Sequence, residues 1–263
     1  MSVSVSKAGG TGETKPLRCL VYGASRRAKT TFAATAPNPV FLSVSSEGGE
    51  RTLQVCFPWV DVININSTDK MKEAVEFIRF NHKARGWRTV VVDSLSFYVE
   101  TFVAELARKK KIMTQQDWGA LDLHVVKWLR EELHGLPLHI IWICLEQQIK
   151  NDATGAIVRM EPMMPGKSAS KLPASCDLVL YADNAQVKDP QGNLVTGLLF
   201  RTQTNENNVI AGGRFGNLFS EGWIHPHFAE VVQRIGPYIG ETMDQYTQPT
   251  APGDGATQQQ IQN

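Results

Sequence analysis

The chain has 263 residues, 42% hydrophobic and 20% charged, enough to bury one sizeable α/β core with at most a small appendage. A formal net charge of +1 excludes a globally basic nucleic-acid coat, so contact with nucleic acid has to come from local basic patches. Cys19, Cys56, Cys144 and Cys176 form no C-x-x-C pair and read as thiols rather than zinc ligands, and no apolar stretch approaches the ~18 residues of a membrane span.

Residues 1–15 are Ser, Gly, Thr and Lys with little to bury, and are expected to form a loose arm before a core spanning 16–240. No apolar leader opens the sequence, so a cytoplasmic protein is expected. Short apolar runs follow at Leu17–Tyr22, Val40–Val44, Val60–Ile65, Thr89–Asp93, Leu138–Leu145, Asp177–Tyr181 and Gly197–Thr202. Several are nearly continuous in Val, Ile and Leu, which suits strands covered on both faces. Between them, Asp69–Arg85 places Met71, Ala74, Val75 and Ile78 at helical spacing, and Asp117–His134 does so with Leu121, Val125, Trp128 and Leu129. This alternation predicts a three-layer α/β fold with a mostly parallel central sheet. Beyond Pro162 the pattern shortens into strands and turns, at Asp189-Pro-Gln-Gly192 and Gly212-Gly213, expected as an antiparallel C-terminal extension. Residues 241–263, rich in Gln, Thr, Pro and Gly, are expected as a disordered tail.

The strand Leu17–Tyr22 runs into Gly23-Ala24-Ser25-Arg26-Arg27-Ala28-Lys29-Thr30-Thr31 and then a helical Phe32-Ala-Ala-Thr. Strand, loop and helix are the setting of a phosphate-binding loop: backbone N–H groups wrap phosphates, the lysine reaches the terminal ones, and the next hydroxyl holds magnesium. Lys29 and Thr30 take those two roles. Ala28 stands where the usual pattern has a second glycine, so its Cβ faces either the phosphates or an unfavourable backbone angle. Thr89-Val-Val-Val-Asp93-Ser94 is an apolar strand ending in an acid, placed to share the magnesium with Thr30.

Val40–Val44 leads to Ser45-Ser46-Glu47-Gly48-Gly49, and Leu138–Leu145 leads to Glu146-Gln147-Gln148. A phosphate loop, a strand ending in Glu, a strand ending in Asp-Ser and a strand ending in Gln, in that order, resemble the RecA-like P-loop ATPases. Met164-Pro165-Gly166-Lys167-Ser168 and Gly212-Gly213-Arg214-Phe215-Gly216 are similar to segments of small phage-encoded members, including those of the single-strand annealing group. The resemblance spans roughly residues 17–235. It implies ATP and Mg2+ as ligands, Glu47 polarising the attacking water, Gln147 or Gln148 sensing the terminal phosphate, and Arg214 reaching a neighbour's nucleotide. It also implies a homo-oligomeric ring or filament.

The same resemblance implies two DNA-binding loops. The first contains Arg108-Lys109-Lys110-Lys111, then Gln115, Gln116 and Trp118, which joins backbone neutralisation to a stacking side chain. The second spans about Ile149–Ser175 and carries Lys150, Arg159, Lys167 and Lys171 against Asp152 and Glu161. No base-reading motif is visible, which favours sequence-independent single-stranded DNA as partner. The expected function is a DNA-dependent ATPase in phage annealing, recombination or repair, with a single-strand-binding protein as a further partner. A non-hydrolysing nucleotide switch and a helicase-type motor or helicase loader are the alternatives.

Overall fold

The computed structural model describes residues 14–44, 49–109, 114–166, 168–188, 194–204 and 209–247. The first half alternates strand and helix: β1 (Arg18–Gly23), α1 (Lys29–Ala34), β2 (Pro39–Val44), α2 (Gly49–Cys56), β3 (Asp61–Ile65), α3 (Thr68–Arg85), β4 (Thr89–Asp93) and α4 (Leu95–Lys109). Next come α5 (Gln115–Leu121), a π-helical stretch (Asp122–Leu129), α6 (Arg130–His134), β5 (His139–Cys144), β6 (Glu146–Lys150), β7 (Ile157–Pro162) and α7 (Ser168–Ser175). The last elements are β8 (Leu178–Lys188), β9 (Leu194–Arg201), β10 (Gly212–Gly213), β11 (Trp223–Ile224), α8 (Phe228–Ile239) and α9 (Asp244–Thr247).

The sheet runs β11-β9-β8-β1-β5-β4-β2-β3, with β10 against β8. From β8 to β3 all neighbours are parallel, whereas β9, β10 and β11 are antiparallel additions. The mostly parallel sheet with antiparallel C-terminal strands read from the sequence is thus present. Strand alternation divides the core cleanly. Leu20, Tyr22, Val90, Val92, Ile140 and Trp142 face one layer with Met71, Ala74, Val75 and Ile78 of α3. Cys19, Val21, Val91, Ile141 and Ile143 face the other, with Phe32 of α1 and Phe228, Val231 and Ile235 of α8. Phe32 sits 5.1 Å from Phe200 and 5.7 Å from Phe228, which locks α1 between β9 and α8.

Helix α3 shows how local signals set boundaries. The Ser67 hydroxyl accepts from the Lys70 N–H at its start, and Gly86 ends it in the left-handed conformation at φ 70°. The Asp117–His134 helix instead divides into α5, the π-helical stretch and α6, a change of pitch that keeps Leu121, Val125 and Leu129 buried. The segment expected as a loop from Ile149 to Ser175 is largely ordered: β6 and β7 form a separate antiparallel hairpin and α7 follows. Its alternation was hidden by short strands and exposed charges. Gly212-Gly213 is strand β10 rather than a turn, and the Asp189–Gly192 turn lies outside the described residues.

The rim opposite the carboxyl ends of the parallel strands is closed by a residue the sequence assigned to the tail. Glu241 is buried, with Oε1 2.8 Å from His139 Nε2 and 2.5 Å from Arg88 Nη2, while Gln245 Nε2 donates to Oε2 at 2.8 Å. The other His139 nitrogen accepts from Leu17 N at 2.9 Å, at the head of β1. Ordered chain therefore continues past residue 240 to α9.

Candidate nucleotide-binding site

The parallel pairings Gly23↔Ala182, Tyr22↔Cys144, Ser43↔Asp93 and Val44↔Ile65 gather the carboxyl ends of β1, β8, β5, β2, β4 and β3 on one rim, where open α/β sheets place their ligands. Gly23 is dictated by its neighbour: a Cβ there would lie 2.6 Å from the Ala182 carbonyl oxygen. The loop beyond turns through Arg26 at φ 61° and Ala28 at φ 49°. Ala28 thus takes the left-handed backbone that glycine takes at no cost, and its carbonyl accepts from Phe32 N at 2.9 Å to start α1.

Lys29 is 6% exposed, and its Nζ donates to the Gly23 and Ala24 carbonyls at 3.0 and 2.6 Å. A buried ammonium needs acceptors of this kind, and a phosphate oxygen is a stronger one than either carbonyl. The Thr30 hydroxyl donates to Asp93 Oδ2 at 2.8 Å, and Asp93 is 5% exposed at the end of β4. Strand β5 separates β1 from β4, so this bond ties the helix that follows β1 to a strand that is not β1's neighbour.

A cavity of about 730 Å³ opens over this arrangement, lined by the loop from Ser25 to Thr31, by Asp93, by Arg51 and Thr52 of α2 and by Leu198 of β9. Among the described residues lining it, Arg26, Arg27, Lys29 and Arg51 set four cations against one carboxylate, that of Asp93. Arg27 Nη1 is buried with no hydrogen-bond partner among the described residues, a donor that an anionic ligand satisfies. Among the described residues no cluster of three or more His, Cys, Asp or Glu could hold a metal by protein ligands alone. Thr30 and Asp93 offer hard oxygens, which suit Mg2+ shared with substrate phosphates. Arg51, Thr52 and Leu198 were not singled out from the sequence, because only the crossing of α2 and β9 over the loop brings them there.

The remaining candidates are scattered. Glu47 lies outside the described residues, as do Lys110, Lys111 and Lys167. Gln147 does not line the cavity; its Nε2 donates to Glu161 Oε1 at 2.8 Å and the Met164 carbonyl at 3.3 Å, while Gln148 is exposed. Arg214 lies toward the opposite rim: its Nη2 donates to the Ala174 carbonyl at 2.7 Å and its Nη1 is 3.8 Å from Asp177. Arg108 is exposed near the end of α4. Helix α4 reaches the start of α3, where the Thr68 amide donates to Glu105 at 3.0 Å, so Arg108 lies toward the rim at the carboxyl ends of the parallel strands, on the face of the sheet opposite α1 and α2. Lys109 is the final residue of α4. Lys150 and Arg159 project from the β6–β7 hairpin, which leaves the same rim after β5, and Arg159 is paired with Glu161 at 2.6 Å. Lys171 is exposed on α7.

A family model described as an AAA domain matches residues 15–215, from the approach to β1 through Arg214. The chain belongs to the AAA domain family. Its phosphate loop, Asp93 strand and cavity are accordingly those of an AAA-type P-loop ATPase domain, a class that uses nucleotide and usually Mg2+. No curated protein matches the chain. No described helix is long and apolar enough to cross a membrane.

Proposed function

We propose that this AAA protein binds ATP with Mg2+ in the cavity over Lys29, hydrolyses it, and uses the nucleotide state to control its hold on single-stranded DNA. The observation that carries the reading is the convergence of buried Lys29, the Thr30–Asp93 bond and the unpartnered Arg27 Nη1 on one cation-rich cavity. Lys29 and Arg27 neutralise the phosphates, Gly23 and Ala24 shape the floor, and Thr30 and Asp93 hold the magnesium. Bound Mg2+ supplies charge neutralisation on the phosphate oxygens. Glu47, on the segment joining β2 to α2, is assigned the water-orienting role.

The DNA assignment rests on basic residues at the edge of that rim: Arg108 and Lys109 with the adjoining Lys110 and Lys111, and Lys150 and Arg159 on the hairpin, followed by Lys167 and Lys171. Gln147 at the hairpin base links the rim to the hairpin through Glu161. The biological setting we assign is phage-encoded annealing, recombination or repair in a host cytoplasm. The protein acts there as a homo-oligomeric ring or filament, with a single-strand-binding protein as a further partner. Arg214, too far from its own cavity, belongs in this reading to an interface between subunits.

Steady-state ATP turnover by the wild type and by Lys29→Ala, with and without single-stranded DNA, is the test. Turnover that DNA stimulates and Lys29→Ala abolishes is the expected result. ATP binding without turnover would make the protein a nucleotide switch, and turnover retained by Lys29→Ala would sink the assignment of the cavity.

A further inference from the structure

The cavity contains a guanidinium that comes from its own subunit and from an element outside the phosphate loop. Helix α2 is docked at two points: the Ser43 hydroxyl, at the end of β2, donates to Glu50 at 3.2 Å, and Leu53 is buried beside Phe32 and Ala33 of α1. With Glu50 and Leu53 turned inward, Arg51 and Thr52 occupy other faces of the helix and line the cavity. Among the described residues no acid or carbonyl is engaged by Arg51, whereas the Arg214 guanidinium is held by Ala174 and Asp177. The Asp177 amide donates to the carbonyl of Arg18, the first residue of β1. Arg18 precedes Gly23 by five residues, which sets Arg214 about 16 Å along the strand from the phosphate loop.

We infer that Arg51 contacts the phosphate chain of the bound nucleotide in cis, as a charge-neutralising residue of the same site as Lys29. The inference rests on the nucleotide reading above and goes beyond it by naming a phosphate-contacting arginine that needs no neighbouring subunit. A planar, permanently charged guanidinium suits two oxygens of one phosphate, and an exposed arginine at the cavity wall is free to swing toward them.

The test is calorimetric titration of the full chain with ATP and, separately, with inorganic tripolyphosphate, using the wild type, Arg51→Ala, Arg51→Lys and Lys29→Ala. Loss of a charge-assisted contact predicts that Arg51→Ala binds both probes about 10- to 100-fold more weakly, with Arg51→Lys between it and the wild type. Weaker ATP binding with unchanged tripolyphosphate binding would place Arg51 on the base or ribose and overturn the inference, as would no change in either. A wild type that binds neither probe would instead fail the nucleotide reading itself, and this inference with it. Mixing Arg51→Ala with Lys29→Ala subunits separates cis from trans. ATP affinity stays at the Arg51→Ala level if Arg51 serves its own site, and recovered affinity would show that it serves a neighbour's. Because Arg51 is exposed, an unchanged urea midpoint for Arg51→Ala is expected, which excludes misfolding as the cause.

Discussion

At the scale of single residues, the loop achieves its shape at a cost that its sequence announces. Ala28 in place of glycine left two outcomes open, a methyl group crowding the phosphates or a strained backbone. The structure shows the strain directly at φ 49° and ψ 22°. An alanine in the left-handed region costs about 1 kcal/mol or more relative to glycine, so Ala28→Gly should stabilise the fold by about that amount. Urea unfolding should show a higher midpoint at unchanged slope, and an unmoved midpoint would mean that the loop relaxes when unliganded. Lys29, Thr30 and Asp93 were legible because residue type and spacing alone define their chemistry. Arg51 and Leu198 were not, since each lies on an element whose approach to the loop depends on packing.

At the scale of elements, β6 and β7 turn an expected loop into a hairpin with a defined place for each cation. Lys150 is exposed at its outer end, while Arg159 is drawn back toward Glu161. These two should therefore contribute unequally to DNA binding. Lys150→Ala should flatten the slope of log affinity against log salt by about 0.7 for single strands, and Arg159→Ala by less. Equal effects, or none, would move the DNA surface elsewhere. The helical region before β5 carries a different signature. Burial, with Lys72 nearby, lowers His124 to about 4, and burial with Arg18 and Arg130 lowers His134 to about 4. Both are neutral in the folded chain, whereas unfolded histidines take up a proton near pH 6.5. The stability they contribute is full above about 6.5 and is lost as pH falls toward 4, where the unfolded state binds more protons. Urea midpoints should fall from pH 7.5 to 4.5, with at most about 1.4 kcal/mol per pH unit from each histidine. A flat profile over that range would mean that the two rings are not held neutral by the fold.

For the whole molecule, the sheet was foreseeable and its order was not. Runs such as Val90–Val92 and Ile140–Ile143 divide alternate side chains between two cores, and that double coverage shows in composition. Which strand lies beside which depends on crossovers, so nothing local revealed that β8 would flank β1 in parallel and carry β9 over the cavity. The same limit misread the stretch after residue 240. Composition marks 241 onward as tail, yet Glu241 is buried between His139 and Arg88. The consequence is a sharp dependence on where the polypeptide is trimmed. Cutting after residue 247 should leave thermal and urea stability nearly intact. Cutting after residue 240 removes Glu241 and Asp244 together with Tyr246, which packs against the second core, and takes the Glu241 carboxylate from the His139 Nε2–H and from Arg88, the lost buried contacts alone costing about 1–3 kcal/mol. Should the two truncated chains unfold together, the clasp on that rim is ornamental. Should they part, the stretch from Glu241 to Thr247 belongs to the folded unit.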